Sequence, residues 1–283
     1  MIDRYWDATL SSQESLLANK AWNILIILDA CRADFFDTHW PCTEVVNATA
    51  NVTYRFIHKL ARILVEQEVL FITANPVVSR ELANYDALPN YHFSVARVYE
   101  YGWGHYGPLK LPSVHPVTVN QVVTEYLAEF GQPRRMVIHY LQPHAPYIGQ
   151  HSLPQACWGN NMNDALSLEM NRMPEIKAAG KAGQLDISKL RMAYYENVEL
   201  VAGYVKALLP SLCGNVVITA DHGEMLGENN EFEHSCLPIY PELMTVPWRV
   251  EDRGPYQATP IARKFTETED ADVKAKLAAL GYM

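Results

Sequence analysis

The sequence predicts a three-layer α/β/α sandwich on a mostly parallel central sheet, as a single domain over residues 1–283. Two features carry that expectation. Four short, continuous runs of β-branched and aliphatic residues recur along the chain, and amphipathic helical patterns lie between them.

The first run, Asn23-Ile-Leu-Ile-Ile-Leu28, has no polar alternation. A strand with one wet face alternates, whereas a strand covered by helices on both faces has no reason to. Similar runs follow at Val69-Leu-Phe-Ile-Thr73, Met136-Val-Ile-His-Tyr-Leu141 and Asn215-Val-Val-Ile-Thr-Ala220. Helical patterns are predicted over about 53–66, about 117–130 and about 187–209. In the last, Leu190, Tyr194, Val198, Val201, Val205 and Leu208 fall on one face at helical spacing. Strands alternating with helices imply crossover connections and a layered sheet. The stretch from about 152 to 185 is rich in Asn, Gly, Met and Lys, shows little period, and reads as a surface excursion. Residues 270–283 read as a closing amphipathic helix that Gly281 stops.

Composition limits the partners. Hydrophobic residues make up 49% and charged residues 19% of 283, enough for a packed core and too apolar for a disordered chain. A net charge of −9 gives no reason to expect nucleic acid or an anionic membrane as a partner. A small anionic substrate therefore needs local help from a metal or an arginine. Five cysteines without CxxC spacing read as reduced thiols. No apolar run is long enough to span a bilayer, and the first twenty residues are polar and acidic where a signal peptide needs an apolar stretch. The expected compartment is the cytoplasm.

Two of the predicted strands end in the same chemistry. The first runs into Asp29 and the last into Asp221-His222-Gly223-Glu224. Ligands of open α/β sheets bind beyond the carboxyl ends of the strands, so acids placed there are positioned to act. Two carboxylates and an imidazole suit Zn, Mn, Mg or Ca. Such acids also cap following helices, and for Asp29 alone that reading stands beside the first.

At this point the chain resembles a family. Val217-Ile-Thr-Ala-Asp-His-Gly-Glu224, followed by Gly227-Glu228, resembles the late metal motif of sulfatase-like members of the alkaline phosphatase superfamily. Ile27-Leu-Asp-Ala-Cys-Arg-Ala-Asp-Phe35 resembles the first strand and metal acid of its smaller members, and His139-Tyr-Leu-Gln-Pro-His-Ala-Pro-Tyr147 their Pro-His-x-Pro-Tyr segment. Val246-Pro-Trp248 and Leu280-Gly281-Tyr282 match their tails. The matches keep chain order from about residue 22 onward and are weakest in the middle.

The resemblance implies an alkaline phosphatase-like fold and one or two divalent metal ions. Asp29, Asp221 and His222 would be ligands. His144 and His234 would contact substrate oxygens or a second ion. Arg32, just past Asp29, could pair with an oxyanion or simply face solvent at a helix start. The family's nucleophile is a Ser, Thr or modified Cys at a helix N-terminus, where metal and helix dipole both favour the anion. The nearest fit is Ala50-Asn-Val-Thr-Tyr-Arg-Phe56, with Asn51 where small relatives carry serine. That leaves Thr53 or Thr49 as the hydroxyl, with Thr53 equally readable as a helix cap. The Cys-x-Pro-Ser-Arg motif for formylglycine is absent at Cys31 and Cys42, which favours a phosphate over a sulfate ester.

The expected function is therefore a metal-dependent phosphoester hydrolase acting on a small anionic ester. The alternatives are a degenerate member with a binding or assembly role, a phosphotransferase or phosphomutase on the same scaffold, and an unrelated α/β protein whose motif is coincidence. On that reading 283 residues would leave no room for the extra C-terminal subdomain of larger sulfatases. Its pocket would then be open or completed by a second copy in a homo-oligomer.

Overall fold

A computed structural model describes residues 7–155 and 175–261. The predicted terminal helix, the Leu280-Gly281-Tyr282 tail match, Cys157 and most of the predicted excursion lie outside the described residues.

The four apolar runs are the heart of one eight-stranded sheet. Its strands are β1 (Ser11–Ser12), β2 (Ile24–Asp29), β3 (Glu44–Asn47), β4 (Glu68–Thr73), β5 (His92–Arg97), β8 (Met136–Pro143), β9 (Asn215–Ala220) and β12 (Thr245–Asp252), in the order β1-β3-β12-β9-β2-β8-β4-β5. Two short antiparallel ribbons lie outside it, β6 (Trp103–Tyr106) with β7 (Leu111–Val114) and β10 (Met225–Leu226) with β11 (Phe232–Glu233). Every sheet pairing is parallel except those of β12, which runs antiparallel to both β3 and β9.

Ile24, Leu25, Ile26, Ile27 and Leu28 are each fully buried. Together they contribute roughly 10 kcal/mol of the hydrophobic term, at about 2 kcal/mol per aliphatic side chain. A strand buried on both faces requires a layer on each side. The helix Thr53–Ile63 packs against both Gln13–Ala18 and Pro76–Ala83, and Pro116–Phe130 packs with Ile187–Leu208 over β8.

The long helix begins at Asp186, whose carboxylate accepts from the Ser188 and Lys189 amides, and its predicted apolar face is buried throughout. Other expectations shift. The helix at Thr53 ends at Ile63, where the apolar period gives way to a turn. The end of the predicted excursion is ordered: Glu175–Lys181 is helical, Ile176 is buried, and Gly180 lies against the Phe232 ring. β3, β5, β12 and the helix Pro76–Ala83 were not read as elements, because none is both long and strongly periodic.

Candidate metal centre

Three adjacent parallel strands end at one level. Asp29 at the tip of β2 pairs with Pro143 of β8, and Leu28 with Ala220 of β9. The chain turns sharply after β2, with Ala30 at φ 58°, a left-handed conformation that costs a non-glycine residue about 1 kcal/mol. Three hydrogen bonds hold it there. The Ala30 amide donates to Asp221 Oδ1 at 3.0 Å, Tyr194 donates its hydroxyl to the Ala30 carbonyl at 2.7 Å, and the same hydroxyl accepts from the Arg32 amide at 2.9 Å. Tyr194, read from the sequence as a packing residue, thus braces the turn that follows Asp29.

Asp29, His139 and Asp221 each present a potential ligand atom, all within 4.8 Å of one another and all on fully buried residues. Asp29 Oδ1 and Asp221 Oδ2 are buried without a hydrogen-bond partner, although Asn75 at the end of β4 donates to Asp29 Oδ2. Carboxylate oxygens orphaned beside an imidazole are costly unless a cation meets them, so this donor set fits a divalent ion. Burial pushes the Asp29 carboxyl upward, but His139, His144 and His222 around it reverse the effect and hold it below the usual range. Asp29 is therefore kept ionised.

His222 joins the same point. Its Nδ1 lies 2.8 Å from the Gly223 carbonyl and so carries the proton, which leaves the Nε2 lone pair 3.4 Å from Asp221 Oδ2 and 3.2 Å from Thr53 Oγ1. Thr53 is the first residue of its helix, and Val52 is the cap, without a side-chain bond. The cap reading of Thr53 is thereby replaced: its hydroxyl faces His222. Thr49 has a buried hydroxyl without a partner, and its amide is held by Gln13 Oε1 at 2.8 Å.

A second trio, His144, Glu224 and His234, also brings potential ligand atoms within 4.8 Å of one another. The His234 ring centroid is 5.0 Å from that of His144 and 4.2 Å from that of His222, so the three predicted histidines form one cluster. His234 Nδ1 lies 3.1 Å from Glu224 Oε1. Burial lowers the pKa of His144 and of His234, and it raises Glu224 to about 7 against the opposing pull of His144 and His222. The neighbouring Glu233 is pushed up to about 8 by burial and then by Glu224. The His144 loop hangs from Asn197, whose amide nitrogen donates to the carbonyls of Pro143, His144 and Pro146 while its oxygen accepts from Ile148.

Arg32 is placed differently from both sequence readings. It is buried, and its guanidinium grips Asp34 through two bonds of 2.9 and 2.7 Å and Glu228 through one of 2.7 Å. Burial disfavours its charge, but the two carboxylates more than compensate and raise its pKa. With its donors engaged it braces the Glu224–Glu228 segment and is not an open oxyanion receptor. Asn51 likewise acts as a latch, its amide donating to the Ser235 and Cys236 carbonyls at 2.7 and 3.3 Å. It ties the start of the Thr53 helix to the segment that carries His234.

Sequence reasoning missed His139, Asn75, Glu224 and Asn197 as parts of this site. His139 and Glu224 stand inside the motifs quoted for the resemblance, which was the available signal. A histidine inside an apolar strand otherwise reads as core, and an Asn in a helix carries no local mark of its partners.

No protein-family model matches the chain, and no curated protein sequence matches it. Among solved structures, it is similar to the integral membrane protein lipooligosaccharide phosphoethanolamine transferase A from Neisseria meningitidis (TM-score 0.51, 13% identity, 85% of this chain and 47% of that one). It is similar to that enzyme's soluble domain (TM-score 0.51, 15% identity, 86% and 76%) and to a candidate sulfatase from Bacteroides thetaiotaomicron (TM-score 0.51, 13% identity, 90% and 71%). The chain has an alkaline phosphatase-like fold.

The expected fold is thereby borne out. The chain spans about half the length of the full-length transferase and about three quarters of its soluble domain. Among the described residues no helix is long and apolar enough to cross a membrane. In open α/β sheets ligands bind in the crevice beyond the carboxyl ends of the strands, and here that edge carries Asp29, His144 and Asp221.

Proposed function

We propose that this chain is a metal-dependent phosphoric ester hydrolase or transferase with Thr53 as its nucleophile. The observation that supports this most is the contact of Thr53 Oγ1 with His222 Nε2, 3.2 Å apart, next to the orphaned oxygens of Asp29 and Asp221. Asp29, Asp221 and His222 would hold the ion, with His139 as a further donor. A divalent cation there supplies Lewis acidity, lowering the pKa of a neighbouring hydroxyl and neutralising a phosphoryl oxygen.

The chain's own residues do the rest. Thr53 sits at the N-terminus of an eleven-residue helix, whose partial positive charge favours an alkoxide and an incoming phosphoryl group. His144 and His234 cluster with His222 and are suited to hydrogen-bond phosphoryl oxygens in the transition state. Asn51, which stands where small relatives carry serine, has a structural role of its own and leaves the Thr53 hydroxyl in place. We place the reaction in a reducing compartment, the cytoplasm; the free thiols Cys31, Cys42, Cys213 and Cys236 among the described residues support that reading.

The test is turnover of bis(p-nitrophenyl) phosphate by protein reconstituted with Mn²⁺ or Zn²⁺, with product analysis in water and with added alcohol. Metal-dependent turnover that Thr53→Ala abolishes supports the proposal, and the alcohol arm separates transfer from hydrolysis. Metal uptake without turnover of any ester would overturn it in favour of a binding role.

A further inference from the structure

Asp29 and Asp221 each present one carboxylate oxygen and have the other one taken. Asp221 Oδ1 accepts from the Ala30 and His222 amides, each at 3.0 Å, and its Oδ2 is buried without a partner. In Asp29 the orphan is Oδ1, and Oδ2 accepts from the side-chain amide of Asn75. His139 Nε2 lies 3.4 Å from the same Oδ2 and makes no hydrogen bond to it. The clamp on Asp221 is backbone, whereas the clamp on Asp29 is a side chain.

Asn75 is fixed in that role by its own surroundings. It follows β4 and caps the helix Pro76–Ala83, with its Oδ1 accepting from the Val77 amide at 2.8 Å. With the oxygen so engaged the amide cannot turn over, and Nδ2 is left facing Asp29. The backbone is held as well. The Asn75 amide donates to Thr73 Oγ1 at 3.0 Å, and that hydroxyl donates to the Asn75 carbonyl at 3.1 Å. Asn75 is 2% exposed, so water does not compete for these bonds. Capping alone would accept Ser or Asp equally well; the bond to Asp29 requires the amide nitrogen.

The donors then left for a cation are few. They are one oxygen from each carboxylate, the Nε2 lone pair of His222 with the Thr53 hydroxyl 3.2 Å from it, and the His139 imidazole. Ca²⁺ takes about six to eight oxygens and commonly draws two from one carboxylate. A small transition ion such as Zn²⁺ takes fewer donors and welcomes imidazole.

Resting on the metal-dependent reading above, we propose that Asn75 is the positioning residue that sets which ion this centre takes. By holding Asp29 to a single free oxygen it selects a small transition ion over Ca²⁺. It acts through Asp29, because its own oxygen and nitrogen are both engaged.

The test is calorimetric titration of metal-free protein with Zn²⁺ and with Ca²⁺, counting only the binding that Asp221→Asn removes. In the wild type Zn²⁺ should bind at least roughly 100-fold more tightly than Ca²⁺. Asn75→Ser keeps a cap oxygen and deletes the amide donor. Its Zn²⁺ affinity should fall about 10- to 100-fold, the scale on which a ligand's hydrogen-bond partner matters. Its Ca²⁺ affinity should hold or rise, because Asp29 can then offer both oxygens. Asn75→Ala should shift the ratio equally and, lacking the cap, melt a few degrees lower than Asn75→Ser without metal. An unchanged ratio in Asn75→Ser overturns the proposal and leaves Asn75 a helix cap. An equal fall for both ions, or a wild type that favours Ca²⁺, overturns it too. No ester enters the measurement, so selective Zn²⁺ binding that Asn75→Ser relaxes sustains the role of Asn75 even if no ester is turned over and the hydrolase reading fails. A wild type that binds neither ion sinks both.

Discussion

The Thr53 hydroxyl lies 3.2 Å from Nε2 of His222, a residue 169 positions later in the chain. One belongs to the first turn of a helix and the other to the loop after β9, and neither position identifies the other locally. Replacing Thr53 by Ala should lower turnover by about 10³-fold or more, the scale expected when a nucleophile is removed. Thr53→Ser should keep a measurable rate. Both variants should bind metal and melt within about 3 °C of the wild type, because the Thr53 hydroxyl has one polar contact and does not cap the helix. Full activity in Thr53→Ala would move the nucleophile to Thr49 or remove it.

Asp29→Asn and Asp221→Asn test the ion itself. Each keeps its shape and removes the charge that the orphaned oxygen contributes, so elemental analysis should show less than half of the wild-type metal content. Saturating Mn²⁺ or Zn²⁺ should raise the wild-type melting temperature by several degrees, since a ligand at about 100 times its Kd stabilises by about 2.7 kcal/mol. Neither variant should show that rise. Equal metal content in wild type and variants would mean that the ion binds elsewhere.

Asn197→Ala removes four hydrogen bonds from the loop around His144. A loss of about 2–4 kcal/mol of stability is expected, from stranded buried carbonyls, together with a fall in kcat. Metal content should be unchanged, because Asn197 touches none of Asp29, Asp221 and His222. That combination distinguishes loss of His144 positioning from collapse of the centre.

Gly223 allows the Asp221–Gly223 loop to lie against the Glu242 segment. A Cβ there would stand 1.8 Å from the Glu242 carbonyl oxygen, and the Gly223 amide already bonds the Leu243 carbonyl. Gly223→Ala should therefore displace His222 or the Glu242–Leu243 backbone, with loss of metal binding and a melting temperature lower by about 5 °C or more.

Glu233 supplies the pH dependence. Its folded pKa is pushed up to about 8, from 4.5, by burial and by Glu224. A raised carboxyl binds its proton more tightly in the folded state, so its contribution is complete below pH 4.5 and is lost as pH rises through about 8. Glu233→Gln should melt a few degrees above the wild type at pH 8.5, converge with it near pH 4.5, and flatten the curve between. A higher wild-type melting temperature at pH 8.5 would show that Lys177 beside it, not burial, governs the group.

Several of these residues were legible in advance. Asp29, Asp221, His222 and His144 could be named because each ends or follows an apolar strand within a recognisable local pattern, and His234 only through the family resemblance. Arg32 was misjudged for the opposite reason: its partners, Asp34 and Glu228, include one on a loop 196 positions away, and charge complementarity at that distance leaves no mark on its neighbours in sequence.

By itself the sequence determined the four central strands, the three main helices and the acids at the strand ends, because buried strands and amphipathic helices write their environment into residue periodicity. Only the tertiary structure decided that Asp29, His139 and Asp221 meet and that Thr53 turns toward His222. Those are relations between chain segments brought together by sheet order, β9-β2-β8-β4. Order of that kind is set by packing of whole layers, and no local stretch of residues encodes it.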